Sequence, residues 1–360
     1  MKAIITKQDI INTYDERQQE QCRLYYEYKK IKQENPSYGY KRIAKLLGHS
    51  YGKTRWWHCG RHTPVPIQTA EWLEERSIIP LESNNPNLFL LAKVLGATFG
   101  DGGIFGNLNG IFLSSSELEA VQEFGEDLKR LFGEEIEENS RIIEGGEYGH
   151  SWCYQNTNRS VIRLFQALGA PIGDKAQIEL KVPKWIQEEK ETIQDEFFGS
   201  LLGGELGVPK IHIDRNRLDL FSLGITGSDK FAENRISFLS SLGIYLNNKG
   251  IRTGKISLND HKKVNRKGEP TKIYRLLIST EFENLVNFKT RIKISYCVYK
   301  PKKLANTINQ FAEIKRKRYK DLILMGYKKE AAKTLLKLSP AAWLVINNKQ
   351  HIEEEIITTK

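Results

Sequence analysis

The chain reads as an α+β protein of two pseudo-symmetric αββαββα halves with helical flanks at both ends. Three observations predict it. First, Val94-Leu-Gly-Ala-Thr-Phe-Gly-Asp-Gly102 and Phe197-Phe-Gly-Ser-Leu-Leu-Gly-Gly-Glu205 share one design. Each carries small residues four apart, Gly96/Gly100 and Ser200/Gly204, and each leads to an acid, Asp101 or Glu205. Second, those acids stand 104 residues apart, the length of a duplicated domain half and not of a solenoid repeat of about 20 to 50 residues. Third, the same succession of strand-like and helix-like periods follows both acids.

Both stretches read as helices. A glycine inside a helix costs roughly 0.5 to 1 kcal/mol against alanine, so small residues along one face point to close approach of a second backbone. Each stretch is the other's partner, small face against small face. Helices packed in this way set Asp101 and Glu205 side by side at their C-terminal ends, where the macrodipole adds further negative charge. A divalent cation relieves that repulsion, and hard oxygen ligands suit Mg²⁺, with Mn²⁺ as a substitute.

At 360 residues and a formal net charge of +11, the chain has room for two or three domains and points to a polyanionic partner. Residues 1–80 carry 14 Lys+Arg against 9 Asp+Glu, 81–190 carry 10 against 17, 191–298 carry 17 against 12, and 299–360 carry 14 against 6. The positive excess lies in the flanks and the second half, where most phosphate contacts are expected. The expected division is a helical DNA-binding region over 1–80, a first half over 81–190, a second half over 191–304 and a basic helical extension over 305–360. Cys22, Cys59, Cys153 and Cys297 form no CxxC pair and read as reduced thiols. With no apolar run of spanning length and no signal peptide at its start, the protein is expected to be intracellular.

Taking the elements in order, Ile10, Ile11, Tyr14, Leu24, Tyr25, Tyr28 and Ile31 predict one or two amphipathic helices within residues 7–33, broken at Asn35-Pro36. Tyr40 to Leu47 reads as a short helix closed by Gly48, and Lys53 to His58 as another after a turn. This spacing resembles the small helix-turn-helix domains of DNA-binding regulators. It places Lys53, Thr54 and Arg55 where base edges are contacted, with Trp56 or Trp57 as the core anchor. The other reading is a helical hairpin docked on the rest of the protein. His58, Cys59 and His62 lack the fourth ligand that structural zinc requires. Thr63-Pro-Val-Pro66 is read as the end of the unit, and residues 69–80 as a connecting helix and linker.

Beyond Asp101, strands are expected over about 103–114, a helix over 116–132, strands over 135–156 and a helix over 158–169. Beyond Glu205 the order returns: strands near 207–214 and 217–224, a helix near 228–243, strands near 250–258 and 270–279, and a helix near 281–292. Antiparallel sheets packed on one face leave the other for DNA, where alternating side chains reach the major groove. Candidate contacts are Arg215 and Arg217 beside a hairpin turn, and the basic stretch His261 to Lys267 with Lys262, Lys263, Arg266 and Lys267, whose other reading is a solvated loop. The first half offers the neutral Asn107, Asn109, Ser114 and Ser115. After Leu304 the chain is basic and helical, suited either to gripping flanking DNA or to packing on the second half.

The paired stretches resemble the two motifs of single-chain LAGLIDADG homing endonucleases, with Asp101 and Glu205 at the acidic position of each. Leu168-Gly-Ala-Pro-Ile-Gly-Asp-Lys175 and Val182-Pro-Lys-Trp-Ile186 are similar to the family's joining segment. Ser200 and Leu206 stand where the family has glycine. The resemblance spans roughly residues 85 to 304. It implies a monomeric, site-specific double-strand DNA endonuclease with metal held at Asp101 and Glu205 beside the Gly100 and Gly204 backbone. It further implies a water-polarising lysine after the third helix of each half: Lys175 in the first, and Lys300, with Lys302 as rival, in the second. Two other functions fit the same features, a DNA-binding regulator on an inactive fold and an intron RNA maturase. Neither chain end resembles an intein splice junction, so a free-standing or intron-encoded protein is expected.

Overall fold

A computed structural model describes residues 3–146, 149–212, 217–264, 268 and 270–347. The chain opens with five helices: α1 (Lys7–Asn12), α2 (Glu16–Glu34), α3 (Tyr40–Leu46), α4 (Tyr51–His58) and α5 (Val65–Glu75). A capping box between Thr6 and Asp9 starts α1, and the Asp15 side chain caps α2, each satisfying otherwise orphaned N–H groups. Ile11, Cys22, Tyr25, Tyr28, Ile43, Trp57 and Ile67 make a small core of their own. Trp57 is the anchor, edge-on to Tyr25 at 5.5 Å and stacked on His49 at 4.8 Å, while Trp56 is exposed.

Thr63 to Pro66 does not end this unit, contrary to the sequence expectation. Val65 and Pro66 begin α5, because a proline in the first helical turn forfeits only an N–H that has no intrahelical partner. The region also docks on the rest of the chain. Tyr14 and Thr69 share a 2.6 Å hydrogen bond, Arg163 lies over the Tyr14 ring at 4.0 Å, and Arg76 Nε donates to the Phe132 carbonyl at 3.0 Å. Ile5 forms a β-bridge with Leu81.

Next come α6 (Leu88–Phe99), β1 (Gly102–Ile104), β2 (Ile111–Ser115), α7 (Leu118–Phe132), β3 (Ser140–Gly146), β4 (Gly149–Asn156) and α8 (Arg159–Ala167). A 3-10 turn at Lys175–Gln177 and α9 (Lys184–Glu188) lead to α10 (Glu191–Glu205). Then follow β5 (Leu206–Gly207), β6 (Ile211–His212), β7 (Arg217–Leu218), β8 (Phe221–Ser228), α11 (Ala232–Asn248), β9 (Thr253–Val264), β10 (Pro270–Ile278) and α12 (Phe282–Arg291). The strands form two four-stranded antiparallel sheets, ordered β1-β2-β4-β3 and β5-β8-β10-β9. The protein is thus a mixed helix and sheet fold, and α6 and α10 share one continuous apolar core with both sheets.

Two strand expectations need correction. The strand expected near 207–214 is split, with β5 joining the sheet and β6 pairing with β7 in a separate ribbon. Pro209 lies between them and has no N–H to give a ladder. The basic stretch from His261 is also not all loop. Residues 261–264 continue β9, with Lys263 opposite Thr271 and Val264 opposite Pro270.

The chain continues through α13 (Tyr299–Leu324), α14 (Lys329–Leu335) and α15 (Pro340–Asn347). These pack beside α12: Phe311 meets Phe282 edge-on at 5.7 Å, and Ala312, Ala342 and Ile346 join the main core. Lys315 Nζ and Arg316 Nε donate to the carbonyls of Leu336 and Ile346 at 2.8 and 2.7 Å. No described helix is long and apolar enough to cross a membrane.

Candidate metal and nucleic-acid site

The site begins with the contact between α6 and α10. Every residue of α6 after Phe89 is buried, so its glycines face protein. A Cβ built on Gly96 would lie 2.8 Å from the Phe197 carbonyl carbon, and one on Gly204 would lie 3.0 Å from Gly100 Cα. Gly96 therefore rides on the Phe197 backbone, and Gly100 meets Gly204. Ser200 is buried, with its Oγ unbonded, and lines a cavity of about 210 Å³ together with Ala97, Gly203, Glu117, Tyr296 and Lys300.

α10 has a second small face that sequence reading missed. Cβ atoms on Gly199 and Gly203 would strike the carbonyl oxygens of Lys293 and Ser295, so the segment before α13 runs against the helix backbone. The signal was present, because Gly199 and Gly203 are also four apart.

This packing delivers the acids. Asp101 follows Gly100, the residue that closes α6, and is exposed; Glu205 is the last residue of α10 and is half-buried. Asp101 Cγ lies 3.3 Å from the point a Gly204 Cβ would occupy. Burial, reinforced by the nearby Asp101 charge, pushes the Glu205 carboxyl up to about 7 against the pull of Lys175 and Lys300.

The donor set fits a hard divalent cation whose remaining positions are filled by water or phosphate. Among the described residues no group of three or more His, Cys, Asp or Glu side chains converges. A pair of carboxylates is nonetheless what Mg²⁺ uses, since it keeps several waters and binds through one or two carboxylates plus phosphate. Burial first, and the Asp101 charge second, disfavour an ionised Glu205, and a cation offsets both.

The two lysines close the helix ends. Lys175 Nζ donates to the carbonyls of Gly100, of Gly102 at 2.8 Å and of Thr98 at 3.4 Å. Lys300, in the first turn of α13, donates to the carbonyls of Gly203 at 2.6 Å and of Gly204. An ammonium at a helix C-terminus meets both orphan carbonyls and the negative end of the dipole. Burial lowers the Lys175 pKa, while Glu205 and Asp101 oppose that shift. Lys302 is exposed, so Lys300 is the lysine that reaches the helix end. The Gly100 and Gly204 carbonyls, expected beside a metal, are here engaged by ammonium groups.

The other candidate residues lie apart from this centre. Lys53 and Arg55 are exposed on α4, but Thr54 is fully buried and its Oγ1 donates to the Ser50 carbonyl at 2.9 Å. Thr54 cannot reach a base, because it sits on the face that holds α4 to its core. Asn107 and Asn109 are exposed in the turn between β1 and β2, with Asn107 Oδ1 accepting the Asn109 N–H at 3.1 Å. Arg217 is in β7, and Lys262 and Lys263 are in β9. Arg215, Arg266 and Lys267 lie outside the described residues.

No family model matches the chain. Among curated proteins, it is 29% identical over 191 residues to the RNA polymerase subunit Rpo1N of Methanocaldococcus jannaschii, covering 48% of this chain and 14% of that protein. It is 28% identical over 262 residues to the tRNA-splicing ligase RtcB of Pyrococcus furiosus, covering 69% and 25%. It is 24% identical over 258 residues to the replication factor C small subunit of M. jannaschii, covering 69% and 13%. The chain thus spans a quarter or less of the length of these relatives. Its structural neighbours are homing endonucleases. I-DmoI, solved with its target DNA and Mn, is 15% identical with a TM-score of 0.34 over 57% of this chain and 94% of that one. The LAGLIDADG enzyme I-GzeII, solved with its DNA target, is 9% identical with a TM-score of 0.33 over 72% and 96%.

Proposed function

We propose that the chain is a monomeric site-specific endonuclease that cleaves both strands of a DNA target at a centre between two pseudo-symmetric halves, 81–190 and 191–304. One observation carries the reading: α6 and α10, packed glycine on backbone, bring Asp101 and Glu205 together with a lysine at each helix end. Asp101 and Glu205 hold Mg²⁺, or Mn²⁺ in its place, which when bound supplies positive charge to the scissile phosphate and the departing 3′ oxygen. The chain's own residues do the rest. Lys300, whose ammonium keeps one N–H free, and Lys175, on releasing one of its three carbonyls, order the water that attacks phosphorus; the P–O3′ bond breaks as a proton from that water passes to O3′, leaving a 5′ phosphate and a 3′ hydroxyl. The sheets, with Asn107, Asn109, Arg217, Lys262 and Lys263, and α4, with Lys53 and Arg55, supply base and phosphate contacts.

The matched relatives support the same reading. Three proteins whose names share no activity each match this chain over a quarter or less of their length. Partial matches to proteins of such different names are what a mobile element inserted in unrelated hosts would give, and the spread of such an element requires a cut at a chosen site. The regulator and maturase readings find less support, since a protein with no use for a cation gains nothing from setting two carboxylates together.

The test is strand-resolved nicking of a plasmid carrying a site selected from a randomised library in Mg²⁺. Asp101→Asn abolishes cleavage and leaves site binding intact, while Lys175→Met and Lys300→Met slow cleavage less. Wild-type cutting by Asp101→Asn, or tight binding with no cutting by the wild type in Mg²⁺ or Mn²⁺, overturns the nuclease in favour of the regulator.

A further inference from the structure

We infer that each site lysine is set in place by the opposite half: Asn234 and Arg235 of the second half hold the segment carrying Lys175, and Glu117 of the first half holds the segment carrying Lys300. The role this gives them in cleavage rests on the nuclease reading above.

Lys175 follows α8 and belongs by sequence to the first half, yet it is gripped from α11. Arg235 donates to the backbone carbonyl of Lys175 itself at 2.5 Å and to that of Ile178 at 2.8 Å. Asn234 exchanges two hydrogen bonds with the backbone of Leu180, at 2.8 and 2.9 Å. Lys300 follows α12 and belongs to the second half, yet the Glu117 carboxylate at the start of α7 accepts the N–H groups of Val298 at 3.1 Å and Tyr299 at 2.8 Å. The clamps occupy equivalent places. Each stands at the start of the helix that follows β2 or β8, the second strand in the order of its sheet.

Arg235 shows that the arrangement is more than packing. It is fully buried, and among the described residues no carboxylate pairs with it; its remaining hydrogen bonds go to the Thr226 carbonyl at 3.3 Å and Asn234 Oδ1 at 2.7 Å. Asp174 acts on it only through its charge, without a direct ion pair, and a buried guanidinium held in that way is costly; an apolar side chain of similar volume would hold a core at lower cost. What the guanidinium does that an apolar group cannot is fix carbonyls in a planar fork. Gly227 leaves room for it, since a Cβ there would lie 2.5 Å from Arg235 Nε. Glu117 acts with the opposite sign, a carboxylate at the positive end of α13. Because one clamp is cationic and the other anionic, they can be released separately. These are positioning residues: among the described residues none of them hydrogen-bonds to the acids, and each acts through a lysine.

The first measurement uses full-length protein without metal or DNA, acetylated by acetic anhydride and mapped by peptide mass. In the wild type, Lys175 and Lys300 react more slowly than exposed Lys53. Asn234→Ala speeds labelling of Lys175 several-fold and leaves Lys300 unchanged; Glu117→Ala does the reverse, and Glu117→Gln, which keeps an acceptor oxygen, restores protection of Lys300. The second measurement is strand-resolved nicking of the selected plasmid. Asn234→Ala slows the strand that Lys175→Met slows, Glu117→Ala slows the strand that Lys300→Met slows, and each clamp change combined with its own lysine change adds nothing further. Equal labelling of both lysines in either variant, or equal slowing of both strands, overturns the inference and leaves a structural role only. Lysine-specific labelling in a protein that cuts no site leaves the positioning standing and removes the nuclease.

Discussion

Substituting Gly96 with alanine tests the contact on which the whole centre depends. The added Cβ would sit 2.8 Å from the Phe197 carbonyl carbon and 2.9 Å from its Cα, nearer still to its oxygen, where ordinary contact begins at 3.4 Å. All three atoms are backbone, so no rotamer change relieves the overlap; α6 and α10 must separate by more than the shortfall of about 0.6 Å at the carbonyl carbon, because the oxygen lies closer. Overpacking of this kind costs about 1 to 3 kcal/mol, against which alanine returns roughly 0.5 to 1 kcal/mol of helix propensity. The net loss, up to about 2.5 kcal/mol, lowers Tm by up to roughly 3 °C in a chain of 360 residues. Gly243→Ala in α11 is the matched control. Its Cβ meets the Leu276 side chain at 3.6 Å, so it keeps the propensity gain of about 0.4 to 1 kcal/mol without the clash. Thermal and urea unfolding of both variants is the assay, with opposite signs expected. A Gly96→Ala protein stabilised as much as Gly243→Ala would refute the close approach of the helices, and with it the placement of the acids. Gly100→Ala is a weaker probe, since its nearest cross-helix neighbour would be Gly204 Cα at 3.4 Å.

Two further predictions concern charge. Glu205 is held near 7 in the folded protein against 4.5 for a free glutamate, so between those values the folded state keeps a proton that the unfolded state has lost. Stability from this group is fully present below about 4.5, declines as pH rises through 7 and is level beyond. In melts at pH 4 and pH 8, Glu205→Gln should therefore nearly match wild type at pH 4 and exceed it at pH 8, by a few kcal/mol at most. An equal gap at both pH values would show that the carboxyl is not so displaced. In the N-terminal region, Lys53→Ala with Arg55→Ala should weaken DNA binding and reduce the slope of log affinity against log salt by about one for each phosphate no longer neutralised. An unchanged slope would leave the region as scaffold. Deleting residues 1–80 would be a poorer experiment, because Ile10, Ala70 and Leu73 belong to the main core and Ile5 bridges Leu81.

The sequence by itself determined the features that depend on local period and on small-residue spacing. The helices that lead to Asp101 and Glu205, their mutual packing and most of the order of strands and helices after each acid follow from patterns within some twenty residues, whereas the candidate lysines came from the family resemblance. A glycine on a helix face reports a close approach without naming what approaches, which is why Gly96 and Gly100 were legible and the meeting of Gly199 and Gly203 with residues 293–295 was not. Exposure within a short helix was equally hidden: Lys53, Thr54 and Arg55 look alike as candidates, and only the docking of α4 through Trp57 on Tyr25 and Tyr28 decides that Thr54 faces inward. The fate of charges was decided by tertiary structure. Nothing local distinguishes Arg235 from a surface arginine, or Glu117 from a solvated acid, because their partners lie 57 to 60 and 181 to 182 residues away. Burial and long-range hydrogen bonding turn those side chains into supports for the lysines, and both are properties of where the chain returns upon itself.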